Sequence, residues 1–399
     1  MRFCFLTTFF PPKHFGGDAI FVAKLANALA SRNHDVHVVH CEDSFDITAG
    51  RVRPSPFPLH PSIKVYPLRY GPLSPITTYL TGFPGPKRSR LEEILAQDFD
   101  VVHWHNLSLV GGPGALKLAR GVRLCTFHDY FLLCPTHILF KFRREACTEP
   151  SCLACTLAHH RPPQLWRYSS LLEDSLKYID RFIAPSEFVH NLYRDSPLGI
   201  DSYVLPHFVD FDTRTPSVTG TPEERQYYLF VGRLEKAKGI QNVLPVFAET
   251  GRRLVIAGAG NYEGELRQQA SGFDNIEFLG RVPHQELERL YRGAQATLVP
   301  SICFETFGMI ILESLRSGTP VVVSDFGALP EVVRRTGGGW IYRSLDEFRS
   351  ILDSIDKDPA GAAAKGQIGQ QQLEQYSEEI HLKLYFDLID SVGRRKSGR

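Results

Sequence analysis

The chain has 399 residues, 43% of them apolar and 22% charged, with a formal net charge of +1 at neutral pH. That length exceeds one ordinary hydrophobic core, so two domains are expected, and the near-neutral balance sets up no whole-molecule field directed at nucleic acid. No apolar run reaches the roughly 18 residues that a membrane helix needs. The opening Met1–Leu6 has too short an apolar core for a signal peptide and reads as a first buried strand. Together these features lead us to expect a cytoplasmic protein, whose eight cysteines would be thiols or metal ligands rather than disulfides.

Apolar strands alternate with amphipathic helical stretches along the whole chain, the pattern of parallel sheets covered by helices on both faces. In the first half, strands are expected at Phe3–Thr7, Asp35–His40, Ile63–Leu68, Val101–His105, Arg123–Phe127 and Arg181–Ala184. Helices are expected at Asp18–Arg32, with Asp18 as N-cap, and at Arg90–Ala96, Pro113–Arg120 and Tyr168–Lys177. The Pro-rich, aromatic segment Pro54–Pro86 reads as a long loop, either a sugar-stacking or lipid-facing acceptor loop or a plain connection. A polar stretch between about Phe211 and Gln226 reads as the interdomain linker. A second α/β pattern follows, with strands at Tyr227–Val231, Leu254–Ala257, Ile276–Phe278, Ala296–Val299 and Val321–Val323. The last periodic helix spans Glu379–Val392, and the basic tail after it reads as disordered.

One segment carries more chemistry than the rest. Phe304-Glu305-Thr306-Phe307-Gly308-Met309 follows the strand Ala296–Pro300, and Glu313 lies eight positions after Glu305. A strand turning sharply into a helix aims that helix's free N–H groups at whatever lies beyond the strand end, which suits a phosphate. In that geometry Glu305 stands at the helix mouth and Glu313 lies about two turns in, roughly 12 Å further along the axis at ~1.5 Å per residue. One could then meet a sugar and the other a ribose. Most glutamate pairs at this spacing are solvated helix faces, but the strand and the Phe-Gly turn argue against that here.

This segment resembles the E-x7-E signature of family 4 ("group 1") retaining glycosyltransferases. Further stretches resemble the same family: Phe230–Leu234 with Lys238-Gly239, Leu254–Gly260, Phe278–Val282 and, more loosely, Gly16-Gly17. The resemblance implies an α/β GT-B fold, in which two Rossmann-like doubly wound domains face a central cleft and the C-terminal helix crosses back to the first. On that basis residues 1–212, with a helix at about 379–394 packing back, would bind the acceptor, and residues 226–375 would bind a nucleotide-sugar donor. The family's activity is transfer of a sugar from a UDP- or GDP-sugar to an acceptor hydroxyl with retained anomeric configuration. The expected acceptor is a saccharide, a lipid-linked saccharide or a small molecule, in polysaccharide or natural-product biosynthesis, with peripheral association at the inner face of the membrane.

Departure of the nucleoside diphosphate needs its charge stabilised, by a metal or by fixed cations. No D-x-D motif stands at a suitable strand end, whereas Arg233 and Lys238 follow the first strand of the second domain, where α/β sheets bind ligands. Arg233 can grip two phosphate oxygens, and Lys238 supplies a compact charge. Gly232 lets the backbone approach. By resemblance Glu305 would bind donor-sugar hydroxyls, Glu313 the ribose, and the N–H groups of Phe307, Gly308 and Met309 phosphate or sugar oxygens. The turn at Arg281 and Val282 would face the base. Gly16 and Gly17 would lie against the diphosphate, and His128, at a strand end, would contact the sugar. His103 and His105 share a strand face and read as lining or hydrogen-bonded core in preference to a metal site. At the domain hinge His207-Phe208-Val209-Asp210 stands where the family commonly carries Asn-Gly, and Phe does not readily take a positive φ.

Cys134, Cys147, Cys152 and Cys155 form C-x12-C-x4-C-x2-C. The spacing is compatible with a structural zinc site, in which His159 or His160 could replace a ligand, and equally with free thiols or disulfides. Two other functional classes fit parts of the pattern: a sugar-nucleotide epimerase of the same fold, and a non-catalytic scaffold with a zinc-stabilised interaction loop.

Overall fold

The computed structural model describes residues 1–50, 52–209 and 225–397. The expected linker at 211–226 lies almost wholly outside the described residues. In chain order the strands are β1 Arg2–Thr7, β2 Asp35–Cys41, β3 Lys64–Leu68, β4 Val101–Asn106, β5 Val122–Thr126, β6 Phe140–Lys141, β7 Glu145–Ala146, β8 Arg181–Ala184 and β9 Ser202–Val204. They continue with β10 Tyr227–Val231, β11 Leu254–Ala257, β12 Ile276–Gly280, β13 Ala294–Val299, β14 Val321–Ser324 and β15 Gly339–Tyr342.

Two parallel sheets account for nearly all of them. The first has seven strands in the order β3-β2-β1-β4-β5-β8-β9, and the second has six in the order β12-β11-β10-β13-β14-β15. Both are doubly wound, with the strand order reversing about β1 and β4 in one and about β10 and β13 in the other. Central strands such as Phe3-Cys4-Phe5-Leu6 and Leu254-Val255-Ile256-Ala257 are buried along their whole length, as sheets covered on both faces require. The short pair β6–β7 is antiparallel.

The chain divides into two compact units. One comprises Met1–Ile138, Ser151–Pro206 and the chain from His381 onward; the other comprises Leu139–Pro150 and His207–Ile380. The C-terminal helix, Glu378–Ser397, extends into the basic tail, expected to be disordered, as far as Ser397. Its Tyr385 is fully buried, stacks on Phe3 and places its hydroxyl 2.9 Å from His103 Nδ1. His103 Nε2 meets Thr126 Oγ1 at 2.8 Å. His103 is thus a satisfied core group, kept neutral by burial well below the ordinary imidazole value.

The Pro-rich segment differs from a plain loop. It contains a helix, Leu73–Thr81, with Pro72 at its N-cap and Pro75 in its first turn. First-turn N–H groups have no intrahelical acceptor, so proline is tolerated there. Two short edge strands, β9 and β15, were not foreseen either. At the hinge, Phe208 is not among the residues with positive φ, so the Asn-Gly replacement does not strain the backbone, and Val209 N–H donates to Tyr376 O at 3.1 Å.

Tyr385→Phe should cost about 1–2 kcal/mol, because it leaves a buried imidazole nitrogen short of its partner. Urea unfolding of the variant beside the parent, followed by circular dichroism, measures this directly.

Candidate active site

In the second unit β10 and β13 are paired neighbours, so their C-terminal ends lie side by side. The loop after β10 carries Gly232, Arg233 and Lys238, and the loop after β13 carries Glu305, Phe307 and Gly308. Two backbone features bring these loops together. Ile302 N–H donates to Ala237 O at 2.9 Å. Gly239 has φ +74° and lies so close to Pro300 that a Cβ there would sit 1.8 Å from the Pro300 carbonyl oxygen. Only glycine meets both conditions.

With the loops in this register, Lys238 Nζ reaches Glu305 Oε1 at 2.6 Å, and Ser301 Oγ donates to the same oxygen at 2.6 Å. The two ionic side chains are only 23% and 18% exposed. Glu305 Oε2 accepts no hydrogen bond among the described residues. Arg233 is exposed and pairs with Glu235 Oε1 at 2.7 Å. Gly232 N–H donates to Ala257 O, and Gly258 N–H to Gly280 O, so the ends of β10, β11 and β12 form one edge. Arg281 is exposed and Val282 half-buried just beyond β12.

Gly308, with φ +92°, is the N-cap of the helix Met309–Arg316. The helix therefore begins after Glu305, which belongs to the loop ahead of it. Glu313 lies four residues in, about 6 Å along the axis, so it stands about one turn into the helix and not the expected two turns, roughly 12 Å, from its mouth. Glu313 is half-buried and accepts a hydrogen bond from Tyr291 Oη at 3.1 Å. The Phe307 ring is buried and packs edge-on against His207 and Tyr376, with centroids 5.2 and 5.9 Å away. Its side chain anchors the loop in the core, which leaves its backbone as the part able to serve a ligand.

Burial would raise the Glu305 carboxyl, but the Lys238 ammonium beside it, the Ser301 hydroxyl and Arg233 hold it below the usual carboxylate value. Burial likewise favours a neutral Lys238, and Glu305 outweighs that and raises its ammonium above the usual value. Both groups are therefore charged throughout the neutral range.

In the first unit, His128 is buried and its Nε2 lies 3.0 Å from His105 Nδ1. One nitrogen donates and the other accepts, so both rings cannot be protonated together. Burial lowers His128 to about 4, and it is neutral at pH 7. The adjacent Asp129 faces His137 Nδ1 at 2.9 Å and accepts from Asn106 Nδ2 at 3.1 Å and from Phe131 N–H at 2.9 Å. Burial opposes its charge, but His137 and these donors keep it ionised. Gly16, rather than Asp18, is the N-cap of the first helix, Gly17–Ala30. A Cβ at Gly16 or Gly17 would meet nothing within 4 Å, so the described fold does not itself demand glycine there.

Cys147 follows β7, and Cys152 and Cys155 lie on the helix Cys152–Ala158. Among the described residues no group of three or more His, Cys, Asp or Glu is disposed to hold a metal ion. Cys134 Sγ lies 3.2 Å from Thr136 Oγ1, and Cys147 Sγ donates to Glu149 O at 3.8 Å. Ser301, Tyr291 and Glu235, which hold Glu305, Glu313 and Arg233 respectively, were not foreseen. Ser301 is the only one with a local signal, a hydroxyl two residues past the strand end.

The profile of Glycosyltransferase Family 4 matches residues 15–213, and that of Glycosyl transferases group 1 matches residues 212–367. The chain belongs to this glycosyltransferase family. An uncharacterized glycosyltransferase of Methanocaldococcus jannaschii is 27% identical over 382 residues, covering 90% of each chain. The phosphatidyl-myo-inositol mannosyltransferase of Mycolicibacterium smegmatis is 27% identical over 391 residues, 92% of this chain and 86% of that one. The structure of Anabaena HepE in complex with UDP and glucose superposes with a TM-score of 0.65 at 16% identity, covering 100% of this chain and 98% of that one. The fold is GT-B, and the protein is a glycosyltransferase.

The ion pair gives a signed pH dependence. A carboxyl lowered in the folded state stabilises the protein above its ordinary value of 4.5, and that contribution disappears as pH falls through the lower folded value. Glu305→Gln should therefore narrow its stability gap to the parent between about pH 5 and pH 3. Lys238→Met should cost roughly 2 kcal/mol at pH 7 by leaving Glu305 short of its ionic donor. Urea titrations across this pH range test both expectations.

Proposed function

We propose that the protein is a retaining glycosyltransferase that moves a hexose from a UDP- or GDP-sugar to an acceptor hydroxyl, with fixed cations in place of a metal ion at the departing diphosphate. The observation that carries this reading is the Lys238–Glu305 pair, set at adjoining strand ends ahead of the Gly308 helix cap. A carboxylate alone would repel a diphosphate. Paired with Lys238, it can bind a sugar hydroxyl through Oε2 while the ammonium and Arg233 meet the phosphates. Backbone N–H groups at Phe307, Gly308 and Met309 would supply further donors to the leaving oxygens. Gly232, Arg281 and Val282 would line the nucleoside, and Glu313 would accept from the ribose hydroxyls. In the first unit Gly16 and Gly17 would leave room for the diphosphate, and neutral His128 would donate or accept one hydrogen bond to the sugar.

Retention is part of this reading, as the family resemblance implies. The acceptor oxygen attacks the anomeric carbon on the face from which the diphosphate departs, and the departing phosphate takes the acceptor's proton. No separate general base is then needed. For the acceptor we favour a saccharide or lipid-linked saccharide of polysaccharide biosynthesis, or a small natural product, used by a cytoplasmic enzyme at the inner face of the membrane. The name of the M. smegmatis relative, a mannosyltransferase acting on phosphatidyl-myo-inositol, supports the lipid-linked class. The UDP and glucose bound to Anabaena HepE support a UDP-sugar donor.

The experiment is a thermal-shift series with UDP, GDP, ADP and dTDP, with and without EDTA, followed by sugar transfer from the stabilising nucleotide's sugars. One diphosphate should raise the melting temperature irrespective of EDTA. Lys238→Ala should lower the transfer rate about 10²–10³-fold. Absence of any nucleotide shift, or a Lys238→Ala enzyme of parental rate, would refute the reading. Transfer that is lost in EDTA and restored by a divalent ion would refute its metal-free part.

A further inference from the structure

In the first unit, three short elements present aliphatic side chains to solvent. Leu73, Ile76 and Leu80 are exposed on the helix Leu73–Thr81, Leu73 by 72%. Their spacing of three and four residues puts them on one helical face, while Ser74, Pro75 and Thr78 turn inward. On the helix Cys152–Ala158 the arrangement is inverted relative to an ordinary surface helix. Cys155 and Thr156 are buried, and Leu153 and Leu157 are exposed. The turn Leu165–Tyr168 exposes Leu165 by 69% and Tyr168 by 68%.

These elements are fastened to each other. Trp166 Nε1 donates to Tyr79 O at 2.9 Å, and Tyr79 Oη donates to Pro162 O at 3.0 Å. Arg161 N–H donates to Thr156 O at 3.1 Å, closing the end of the helix Cys152–Ala158 just ahead of Pro162. Large exposed aliphatic side chains gathered in this way mark an interaction surface.

Charge identifies the partner. Residues 70–91 and 150–172, which contain all three elements, hold five Lys or Arg and no Asp or Glu, in a chain whose net charge is only +1. Lys87 is buried, and Arg88 and Arg90 pair with Glu92 and Glu93 on the following turn. Arg161 is exposed and forms no ion pair among the described residues. Arg167 donates only to neutral acceptors, Phe131 O, Leu132 O and Gln164 Oε1. Aliphatic faces bordered by unneutralised arginine, with carboxylates missing from the same stretches, match an anionic bilayer, where leucines enter the headgroup boundary and arginines meet lipid phosphates.

We propose that Leu73, Ile76, Leu80, Leu153, Leu157 and Leu165, with Arg161, form a docking surface for an anionic lipid bilayer. This surface is confined to the first unit and does not rest on the donor-site reading. The test is sedimentation of the full chain with phosphatidylcholine vesicles and with vesicles of phosphatidylcholine and phosphatidylglycerol in equal parts. The parent should bind the mixed vesicles and leave the neutral ones largely unbound. The triple variant L73Q/L157Q/L165Q should bind about tenfold or more weakly, and Arg161→Glu several-fold more weakly. Both variants should keep the parent's melting temperature and its response to UDP.

Failure of the parent to sediment with mixed vesicles, equal binding to neutral ones, or parental binding by the triple variant would each overturn the proposal. So would a concentration-dependent self-association lost in the triple variant, which would assign the surface to a second copy of the chain. Loss of vesicle binding with the UDP response intact separates failure here from failure of the donor-site reading.

Discussion

The candidate site depends on a backbone contact that has no charge in it, the approach of Gly239 to the Pro300 carbonyl. Without side-chain bulk at residue 239, the loop after β10 settles onto the loop after β13, and Ile302 N–H closes on Ala237 O. Lys238 is then one residue from the contact, and Glu305 lies within its reach. The ion pair is thus a consequence of loop register. A Cβ at residue 239 would part the loops and remove the pair without touching either ionic side chain.

Burial sets the charge states in both units, but it has opposite outcomes. At Lys238 and Glu305 each ion supplies the other's stabilisation, so both stay charged in a largely enclosed place. In the first unit no such partner offsets burial at the histidines: burial lowers His128 and His381 to about 4, and burial, with the neighbouring His128 and His381, holds His103 neutral. Asp129 escapes this trend because His137, Asn106 and a backbone amide converge on it. A neutral imidazole and an ionised carboxylate consequently occupy consecutive positions, 128 and 129, after the same strand.

The parts of this arrangement that were legible in the sequence are those set locally. Runs such as Leu254–Ala257 declare buried parallel strands, and the Phe307-Gly308 turn before Met309 declares a helix start. The helix Leu73–Thr81 was missed because its prolines sit in the cap and first turn, where they break nothing. Strands β9 and β15 are short edge strands whose pairing partners lie elsewhere in the chain. Ser301 and Tyr291 serve the glutamates only through folding, since a hydroxyl has no spacing rule that ties it to a distant carboxylate. The cysteine pattern is ambiguous for the converse reason: C-x2-C spacing is satisfied by one turn of an ordinary helix, and here Cys152 and Cys155 lie on such a helix with one half-buried and the other buried.

Phe307 explains why the loop between Glu305 and the helix can be a rigid binding element. Its ring lies between His207 and Tyr376, and Ala328 N–H holds Glu305 O at 2.9 Å from the other side. The loop conformation is thereby fixed by core packing and by backbone hydrogen bonds before any ligand arrives. Donors oriented in advance cost no reorganisation when charge develops near them, which is the condition under which a few hydrogen bonds lower a barrier substantially. The same loop made flexible by an unanchored residue 307 would present identical groups, yet would have to order them during each encounter. The aromatic ring therefore contributes to function from within the core, through the rigidity it gives to its own backbone.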